Sequence, residues 1–359
     1  MGLIFSLISA QNSSLFFRPQ TGSVQRLAID KVTGDNYVTF GTGSSTGILK
    51  LNSSGVDQGA VANEATSLIN IDENSNLYYV LMNTSDVKKV DMQNINNPTT
   101  VFTRQGTSPT GMCVSGNKLY YSDQMMASIY YVDSINQTPS SPTVLFSQTG
   151  YTPSVLYAKG GFLYAILGGM MPGTSKIVKI DLANPSAGAV DVVTGLTNAG
   201  YLAVDNIGKI YYTRRNTTTN TTVLDRYTPS LGTSDTIDNG SNGNFLALDV
   251  DANGSVFFTA YNPNNGSPFS ALYKISAASL STNSVATKTL SISPNPAKDF
   301  VTISNLSKGA EVALFDVTGK LLYQTKSLGV TLTINTSSYK NGMYLVKVDG
   351  QTSKLMISK

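Results

Sequence analysis

One stretch decides how the chain folds: Pro109-Thr-Gly-Met-Cys-Val-Ser-Gly-Asn-Lys-Leu-Tyr-Tyr-Ser-Asp123, continued by Ile129-Tyr-Tyr-Val-Asp133. An apolar run leads into a polar turn, a leucine and two tyrosines lead into a second turn, and another aromatic run follows. Short runs rich in β-branched and aromatic residues, separated by Gly, Asn and Ser, are typical of strands joined by tight hairpins. The stretch therefore predicts three consecutive antiparallel strands.

The same pattern occurs six times along the chain. The other five copies begin with paired strands at Leu27–Phe40, Leu68–Val80, Val155–Ile166, Leu202–Thr213 and Leu248–Thr259. Equivalent positions are spaced by 42, 43, 44, 46 and 46 residues, and they are Asp30, Asp72, Ser115, Lys159, Asp205 and Asp251. A third strand follows each pair and a fourth closes each unit, as at Thr100–Thr103 and Val144–Ser147. Four short strands every ~40–45 residues is the period of a β-propeller blade.

The sixth copy ends at Ile275 after only three strands, and its fourth strand is predicted at the other end of the chain. There Ser14-Leu-Phe-Phe17 resembles Val144-Leu-Phe-Ser147. A strand donated from the N-terminus closes the ring and removes an open sheet edge. The predicted fold class is all-β, with a six-bladed β-propeller over residues 11–280. Ala277 to Thr289 reads as linker, and the linker domain is placed at 281–289.

The copy at 109–133 resembles an NHL-type repeat, a likeness shared by the fifth copy and weak in the others. This resemblance implies a propeller fold. It implies no particular function, because propellers serve as binding proteins and as enzymes.

The composition excludes several kinds of chemistry. The 359 residues include no histidine, which excludes Ser-His and Cys-His catalysis within one chain. Cys113 is the single cysteine, so no intrachain disulfide can form, and its apolar neighbours predict a buried small side chain. The net charge of +3 is diffuse, which argues against nucleic acid as a partner. No apolar run is long enough to predict a transmembrane segment.

Residues 1–10 read Met-Gly-Leu-Ile-Phe-Ser-Leu-Ile-Ser-Ala and turn polar at Gln11. A short apolar run that ends in small residues predicts part of a secretory signal peptide, cut after Ala10, with the true start upstream. The alternative is a buried first strand.

From about Leu290 a different pattern of alternating strands and glycine turns predicts a small antiparallel, Ig-like β-sandwich over residues 290–359. Its motifs are, in order, Pro294-Asn295-Pro296, the segment Phe315-Asp316-Val317-Thr318-Gly319-Lys320, Gly342-Met343-Tyr344 and a basic C-terminal end. They resemble the type A C-terminal sorting domain of proteins exported by the type IX secretion system of Bacteroidota, with Tyr339 where that family usually has leucine. The resemblance implies that this machinery is a partner, and that the protein is secreted or displayed at the outer-membrane surface.

Ligands of propellers usually bind the face formed by the loops that enter each inner strand and the loops between second and third strands. At that face, three successive copies carry two methionine pairs and an arginine pair. With one tyrosine and one asparagine they predict an apolar, adaptable contact surface beside two cations: Met126, Tyr151, Met170, Met171, Asn198, Arg214 and Arg215. The alternative is that these loops pack against neighbouring blades. Alanine at both arginines is predicted to weaken ligand binding.

The sequence predicts no cofactor and no metal site. Asp249-Val-Asp-Ala-Asn-Gly254 resembles the first half of a calcium loop, but Ala260 stands where the loop needs glutamate. The lactonase-like propellers of the gluconolactonase family hold a metal at the channel mouth, where this chain offers Glu64, Asn198 and Asn244, with a single carboxylate among them. The leading interpretation is a non-enzymatic extracellular propeller that binds a glycan, a peptide or an envelope protein. The alternatives are a metal-dependent lactonase-like hydrolase and a purely structural or adhesive module.

Overall fold

The computed structural model describes residues 13–42, 45–84, 86–92, 95, 97–103, 109–261, 269–281, 291–304, 306, 309–348 and 351–359. The predicted signal peptide and, apart from Ser281, the predicted linker at 281–289 lie outside these residues. Almost all of the regular secondary structure in the described residues is β-strand, which confirms the all-β class. It packs as two compact units, Met1–Ser281 and Thr282–Lys359.

The first unit contains six four-stranded antiparallel sheets, of the kind that form propeller blades. The first strand, β1 (Ser13–Phe17), belongs to the last sheet. Sheet 1 consists of β2 (Ser23–Ile29), β3 (Asn36–Thr42), β4 (Ser45–Leu51) and β5 (Asp57–Ala62), and sheet 2 of β6 (Thr66–Ile71), β7 (Leu77–Leu81), β8 (Asp86–Val90) and β9 (Thr99–Thr103). Sheet 3 consists of β10 (Pro109–Ser115), β11 (Lys118–Asp123), β12 (Ser128–Val132) and β13 (Thr143–Ser147), and sheet 4 of β14 (Tyr151–Lys159), β15 (Phe162–Gly169), β16 (Ser175–Asp181) and β17 (Ala189–Leu196), with a 3₁₀ turn at Pro185–Ala187. Sheet 5 consists of β18 (Leu202–Val204), β19 (Ile210–Asn216), β20 (Thr221–Thr228) and β21 (Thr233–Asp238), and sheet 6 of β22 (Asn244–Val250), β23 (Val256–Tyr261), β24 (Ala271–Ile275) and β1.

A recurring aspartate shapes the turn between the first and second strands of four sheets. Its Oδ1 accepts a hydrogen bond of 2.8–3.0 Å from the backbone N–H two residues further on, at Asp30, Asp72, Asp205 and Asp251. Such side-chain bonds stabilise turns and compete with continued strand pairing. In sheet 3 the turn has Gly116 with a positive φ of 58° instead. The aspartates of the repeat therefore stabilise the hairpin turns between the first and second strands.

The first strands of the six sheets contact one another in a closed series: β2 with β6, β6 with β10, β10 with β14, β14 with β18, β18 with β22 and β22 with β2. Gly111 on β10 shows how closely neighbouring sheets approach, because a Cβ there would clash with the backbone oxygen of Ser154 on β14. Cys113 on the same strand is buried, as predicted, and burial raises the pKa of its thiol, so the thiolate is disfavoured. The core of the unit thus lies where neighbouring sheets face each other.

Sheet 6 is assembled from both ends of the first unit. β1 pairs antiparallel with β24, with Ser13 opposite Ile275. The Phe16 ring meets the Phe257 ring edge-on, with 5.0 Å between centroids. The Ser13 hydroxyl donates a hydrogen bond of 2.9 Å to Asp238 at the end of sheet 5. The N-terminal strand therefore covers the edge of β24 and is tied to the preceding sheet.

The segment interpreted as linker from Ala277 onwards begins with a short helix, α1 (Ala277–Ser281), which corrects that interpretation for these residues. Leu280 is buried against sheets 5 and 6. Its carbonyl oxygen accepts a hydrogen bond of 2.8 Å from the guanidinium of Arg226, which also pairs with Asp235 at 2.9 Å. The buried Arg226 side chain thus anchors α1, at the end of the first unit, to sheet 5.

The second unit has two antiparallel sheets around one core. One consists of β25 (Ser291–Ser293), β26 (Phe300–Ser304) and β29 (Thr331–Asn335), and the other, in spatial order, of β28 (Leu321–Lys326), β27 (Glu311–Asp316), β30 (Gly342–Val348) and β31 (Gln351–Ile357). Val301 and Ile334 of the first sheet share a buried cluster with Leu314, Val346 and Leu355 of the second. Alternating apolar residues of both sheets therefore fill the space between them, and an Ig-like arrangement stays a prediction.

Candidate functional site

Two cavities lie where the first strands of the sheets converge. The smaller, of about 90 Å³, is lined by one apolar residue or more from each sheet, including Leu27, Ile69, Met112, Leu156, Leu202 and Leu248. The larger, of about 440 Å³, lies toward the aspartate turns and includes Lys31, Glu73, Ser115 and Lys159. Asn70, Tyr157 and Asp249 line both cavities and so separate them.

Asp249 is the centre of a buried polar network between these cavities. Its carboxylate accepts hydrogen bonds from the backbone N–H groups of Ile29 and Val250, both at 2.8 Å. It also accepts from the Lys31 ammonium at 2.7 Å and from the Tyr157 hydroxyl at 3.0 Å. Burial, and then the Asp249 charge, raise the pKa of Tyr157, so its phenol stays a donor at neutral pH. The network joins sheets 1, 4 and 6, and it was not predicted from the sequence, in which Asp249 was noted only for a resemblance to the first half of a calcium loop.

The ionised groups of the larger cavity are matched to protein partners. Burial lowers the pKa of Lys31, while the Asp249 charge opposes that shift. The Lys159 ammonium donates to Asn206 at 2.5 Å, and Glu73 accepts from the Gly116 N–H at 2.7 Å. Because these side chains already have partners within the protein, a structural role is favoured for them.

Glu64, the one carboxylate weighed as a metal ligand, is bound by other protein groups. Glu64 accepts hydrogen bonds from Lys88 at 2.6 Å and from the Tyr79 hydroxyl at 2.5 Å. Burial works to raise the pKa of Glu64, but these hydrogen bonds and the Lys88 charge outweigh it and lower the pKa. Asn198 and Asn244 are exposed. Within the described residues, no group of three or more His, Cys, Asp or Glu side chains is placed to hold a metal ion.

Exposed methionines follow the second strands of three successive sheets. We define the methionine rim as Met82, Met125, Met126, Met170 and Met171, whose side chains are 62–93% exposed. All five lie in loops that join the second and third strands of sheets 2, 3 and 4, and therefore at one end of neighbouring sheets. Met82 was not predicted as a contact residue, because it is a single methionine, although its place after Leu77–Leu81 matches that of the pairs.

The rim loops are held by their own hydrogen bonds. In sheet 3 the buried Asp123 carboxylate accepts from the N–H groups of Met125 and Met126, at 2.9 and 3.1 Å. In sheet 4 the Thr174 hydroxyl donates to the Met171 carbonyl at 2.5 Å. The methionines are thus exposed on shaped turns.

The other predicted contact residues lie beside the rim. Tyr151 begins β14, and the Lys176 ammonium stands 4.7 Å from the centroid of its ring. Arg214 pairs with Asp225 at 2.5 Å, and Arg215 donates to Asn220 at 2.9 Å. Both arginines line a polar cavity of about 330 Å³ beside β17 of sheet 4 and β19 of sheet 5.

Thr197 joins this cavity to the sheet 4 loop of the rim. Its Oγ1 accepts from the Gly173 N–H at 3.0 Å, and its carbonyl accepts from the Arg215 N–H at 2.8 Å. Asn198 follows it as an exposed residue with a positive φ of 47°. The predicted contact surface is therefore divided into an apolar rim and a cationic cavity that adjoin at sheet 4.

In the second unit the Pro294-Asn295-Pro296 motif fastens the start of the unit to its last strand. The Asn295 amide donates to the Lys354 carbonyl at 3.0 Å and accepts from the Met356 N–H at 2.8 Å. The Ala297 N–H then donates to the Met356 carbonyl at 2.8 Å. The motif therefore holds the C-terminal strand in place.

The remaining motif residues shape turns. Asp316, which follows Phe315 at the end of β27, accepts from the N–H groups of Thr318 and Lys320 at 2.9 and 3.0 Å, and Gly319 supplies a positive φ of 84°. At the start of β30 Gly342 has a φ of 151°, and the Tyr344 hydroxyl donates to the Lys340 carbonyl at 2.8 Å. Tyr339 packs beside Tyr344, with 5.8 Å between ring centroids, so the departure from leucine is accommodated in the core.

Comparison with known families identifies the second unit. Residues 291–359 match the family described as the secretion system C-terminal sorting domain. The protein is therefore secreted or displayed at the cell surface and is handled by the type IX secretion system. Within the described residues, no helix is long and apolar enough to cross a membrane.

A curated relative is β-agarase A of Zobellia galactanivorans, which is 25% identical over an alignment of 126 residues that covers 31% of this chain and 23% of that protein. The chain thus matches less than a quarter of the length of this relative.

Three solved structures share the fold. The nidogen/laminin complex contains a chain with a TM-score of 0.54 and 14% identity, over 65% of this chain and 87% of that one. A gluconolactonase of Xanthomonas campestris has a TM-score of 0.53 and 13% identity, over 71% and 86%. Oligogalacturonate lyase of Vibrio parahaemolyticus has a TM-score of 0.52 and 9% identity, over 73% and 92%. At these identities the likeness concerns the fold alone.

Proposed function

We propose that the first unit is a six-bladed β-propeller that binds a polypeptide partner outside the cell through the methionine rim. The single observation that carries this proposal is the exposure of five methionines on equivalent loops of three successive sheets. Large exposed apolar patches on soluble proteins commonly mark interaction sites. The sorting domain supplies the export that brings this surface into contact with extracellular partners.

The closed series of first-strand contacts supports the ring. Each of the six first strands contacts two others, and β1 completes the sixth sheet. The likeness in fold to a gluconolactonase supports the same arrangement, because the gluconolactonase family consists of lactonase-like propellers. The two sheets of the second unit, which share one core, support an Ig-like sandwich.

The chemistry of the rim favours a polypeptide over a glycan. Methionine is unbranched and polarisable, so it adapts to varied apolar side chains and is common at surfaces that bind peptides. The shaped turns lower the cost of ordering the loops on binding. A metal-dependent hydrolase has less support, since Glu64, the carboxylate weighed for it, is bound by Lys88 and Tyr79.

The test is selection of phage-displayed random dodecapeptides on the full chain, followed by affinity measurement on variants. One variant carries Met126→Ser, Met170→Ser and Met171→Ser. The matched control carries Ile207→Ser and Leu231→Ser, which are 76% and 72% exposed on turns that join other pairs of strands. We expect selected peptides to bind the triple variant at least about tenfold more weakly, which is about 1.4 kcal/mol, and the control unchanged. Selection of no peptide, or equal loss in both variants, contradicts the proposal.

A further inference from the structure

The cavity beside the rim has a chemistry of its own. We define the arginine cavity by Thr194, Thr197, Arg214, Arg215, Thr217 and Ser234, which line it together with other residues of sheets 4 and 5. Its volume is about 330 Å³, at the lower end of the size of small-molecule sites. Four of these six side chains end in a hydroxyl group. Such a wall offers donors and acceptors to a polyhydroxylated ligand.

The charges at the cavity leave one arginine without an acidic partner. Arg214 is paired with the buried Asp225, whose second oxygen accepts from the Thr236 hydroxyl at 2.7 Å. Among the described residues, the hydrogen bonds recorded for the Arg215 guanidinium go to the neutral amide of Asn220. With two arginines and one aspartate in its lining, the cavity has a formal charge of +1.

We propose that the arginine cavity binds an acidic saccharide unit, with Arg215 holding its carboxylate or sulfate group and the surrounding hydroxyls holding its ring. A guanidinium presents a planar fork that matches such oxyanions in two parallel hydrogen bonds. An oxyanion carries the negative charge that the Asn220 amide oxygen lacks, so it can compete with that oxygen for the Arg215 guanidinium. This site lies outside the methionine rim and does not depend on peptide binding there.

The probes are D-glucuronate, D-glucose 6-sulfate, D-glucose and inorganic sulfate, each titrated calorimetrically into the full chain at low ionic strength. We expect both acidic sugars to bind at least about tenfold more tightly than D-glucose and than inorganic sulfate. Whichever acidic sugar binds more tightly identifies the source of the oxyanion. If D-glucose binds as tightly as the acidic sugars, the charge does not contribute to recognition and the proposal is wrong. If inorganic sulfate binds as tightly, the saccharide ring does not contribute and the proposal is also wrong.

Three variants test the assignment to Arg215. Arg215→Gln removes the charge and is expected to weaken both acidic sugars at least about tenfold. Arg18→Gln changes an exposed arginine elsewhere in the unit and is expected to leave binding unchanged. Asn220 has a positive φ of 59°, so Asn220→Gly keeps the turn, frees the guanidinium and is expected to tighten binding. Unchanged binding in Arg215→Gln, or weaker binding in Asn220→Gly, overturns the proposal. The rim methionines are intact in all three, so failure here leaves peptide binding to its own test.

Discussion

Replacing Asp249 with alanine tests whether its network holds sheets 1, 4 and 6 together. The change removes the acceptor of four hydrogen bonds, from the N–H groups of Ile29 and Val250, from Lys31 and from Tyr157. It also leaves the Lys31 ammonium without its counter-charge. Breaking a buried ion pair by removing one partner costs about 3–5 kcal/mol. The Lys31 side chain is 33% exposed, so water screens it in part, and we expect a loss of about 3 kcal/mol.

The matched control is Asp251→Ala, two residues away. Asp251 accepts only backbone hydrogen bonds within its own turn, from Asn253 at 2.9 Å and from Ser255 at 2.8 Å, among the bonds recorded for its carboxylate. A net hydrogen bond contributes about 1 kcal/mol, and water can reach this turn, so the expected loss is about 1 kcal/mol.

Urea denaturation followed by circular dichroism measures both variants, with separate transitions fitted for the two units. At a slope of about 3 kcal/mol per molar urea, Asp249→Ala should lower the midpoint of the first unit by about 1 M and the control by about 0.3 M. Adding Lys31→Met to Asp249→Ala should recover part of the loss, because the unpaired charge is gone. A control that is as destabilised as Asp249→Ala, or a double variant whose loss equals the sum of the two single losses, refutes the reasoning.

Three further predictions concern other parts of the molecule. The folded state lowers the pKa of Glu64, so the stabilising effect of this residue is present above about pH 4.3 and is lost as the pH falls through the folded pKa. The difference in urea midpoint between wild type and Glu64→Gln should therefore shrink on acidification. A difference that does not depend on pH contradicts a stabilising pair with Lys88. Leu15→Pro changes an exposed side chain whose backbone lies opposite Tyr273, and it should release β1 from β24. The open edge of β24 should then cause self-association, which light scattering measures, whereas a monomer of unchanged stability contradicts the covering role of β1. Asn295→Ala should destabilise the second unit by about 1–2 kcal/mol and speed proteolysis of β31, because it removes two hydrogen bonds to that strand. The control Lys298→Ala, at another exposed residue, should do neither, and equal stability and proteolysis rates in the two variants contradict the fastening role of the motif.

Local sequence patterns predicted the strands well because each strand is signalled by its own residues. The fourth strands expected at Thr100–Thr103 and Val144–Ser147 match β9 and β13, each of which begins one residue earlier. Aromatic and β-branched runs between glycine and asparagine turns carry this information within a few residues. Helix α1 was not predicted, because five residues are too few to show a helical period and its anchor, Arg226, lies far back in the chain.

The network of Asp249 could not be predicted, because its partners are distant in sequence. Ile29 lies 220 residues away and Tyr157 lies 92 residues away. Nothing near Asp249 signals these contacts, while the local resemblance to a calcium loop suggests a different role for the same carboxylate. The division of the predicted contact surface into a rim and a cavity was hidden for the same reason, since it depends on Asp225, Asn220 and Thr197 as partners of the arginines.

The turns at one end of the sheets have a structural role, whereas the loops at the other end carry exposed side chains. At the turns between first and second strands, Asp30, Asp72, Asp205 and Asp251 perform one task, so the residues there follow from hairpin geometry. At the loops between second and third strands of sheets 2, 3 and 4, the five methionines of the rim have side chains that are 62–93% exposed. The rim methionines have exposed side chains on loops that other residues hold in place. At such positions a protein can acquire binding specificity without losing stability. Substitutions at the rim should therefore change binding while leaving the unfolding transition in place, and substitutions at the turns should do the opposite.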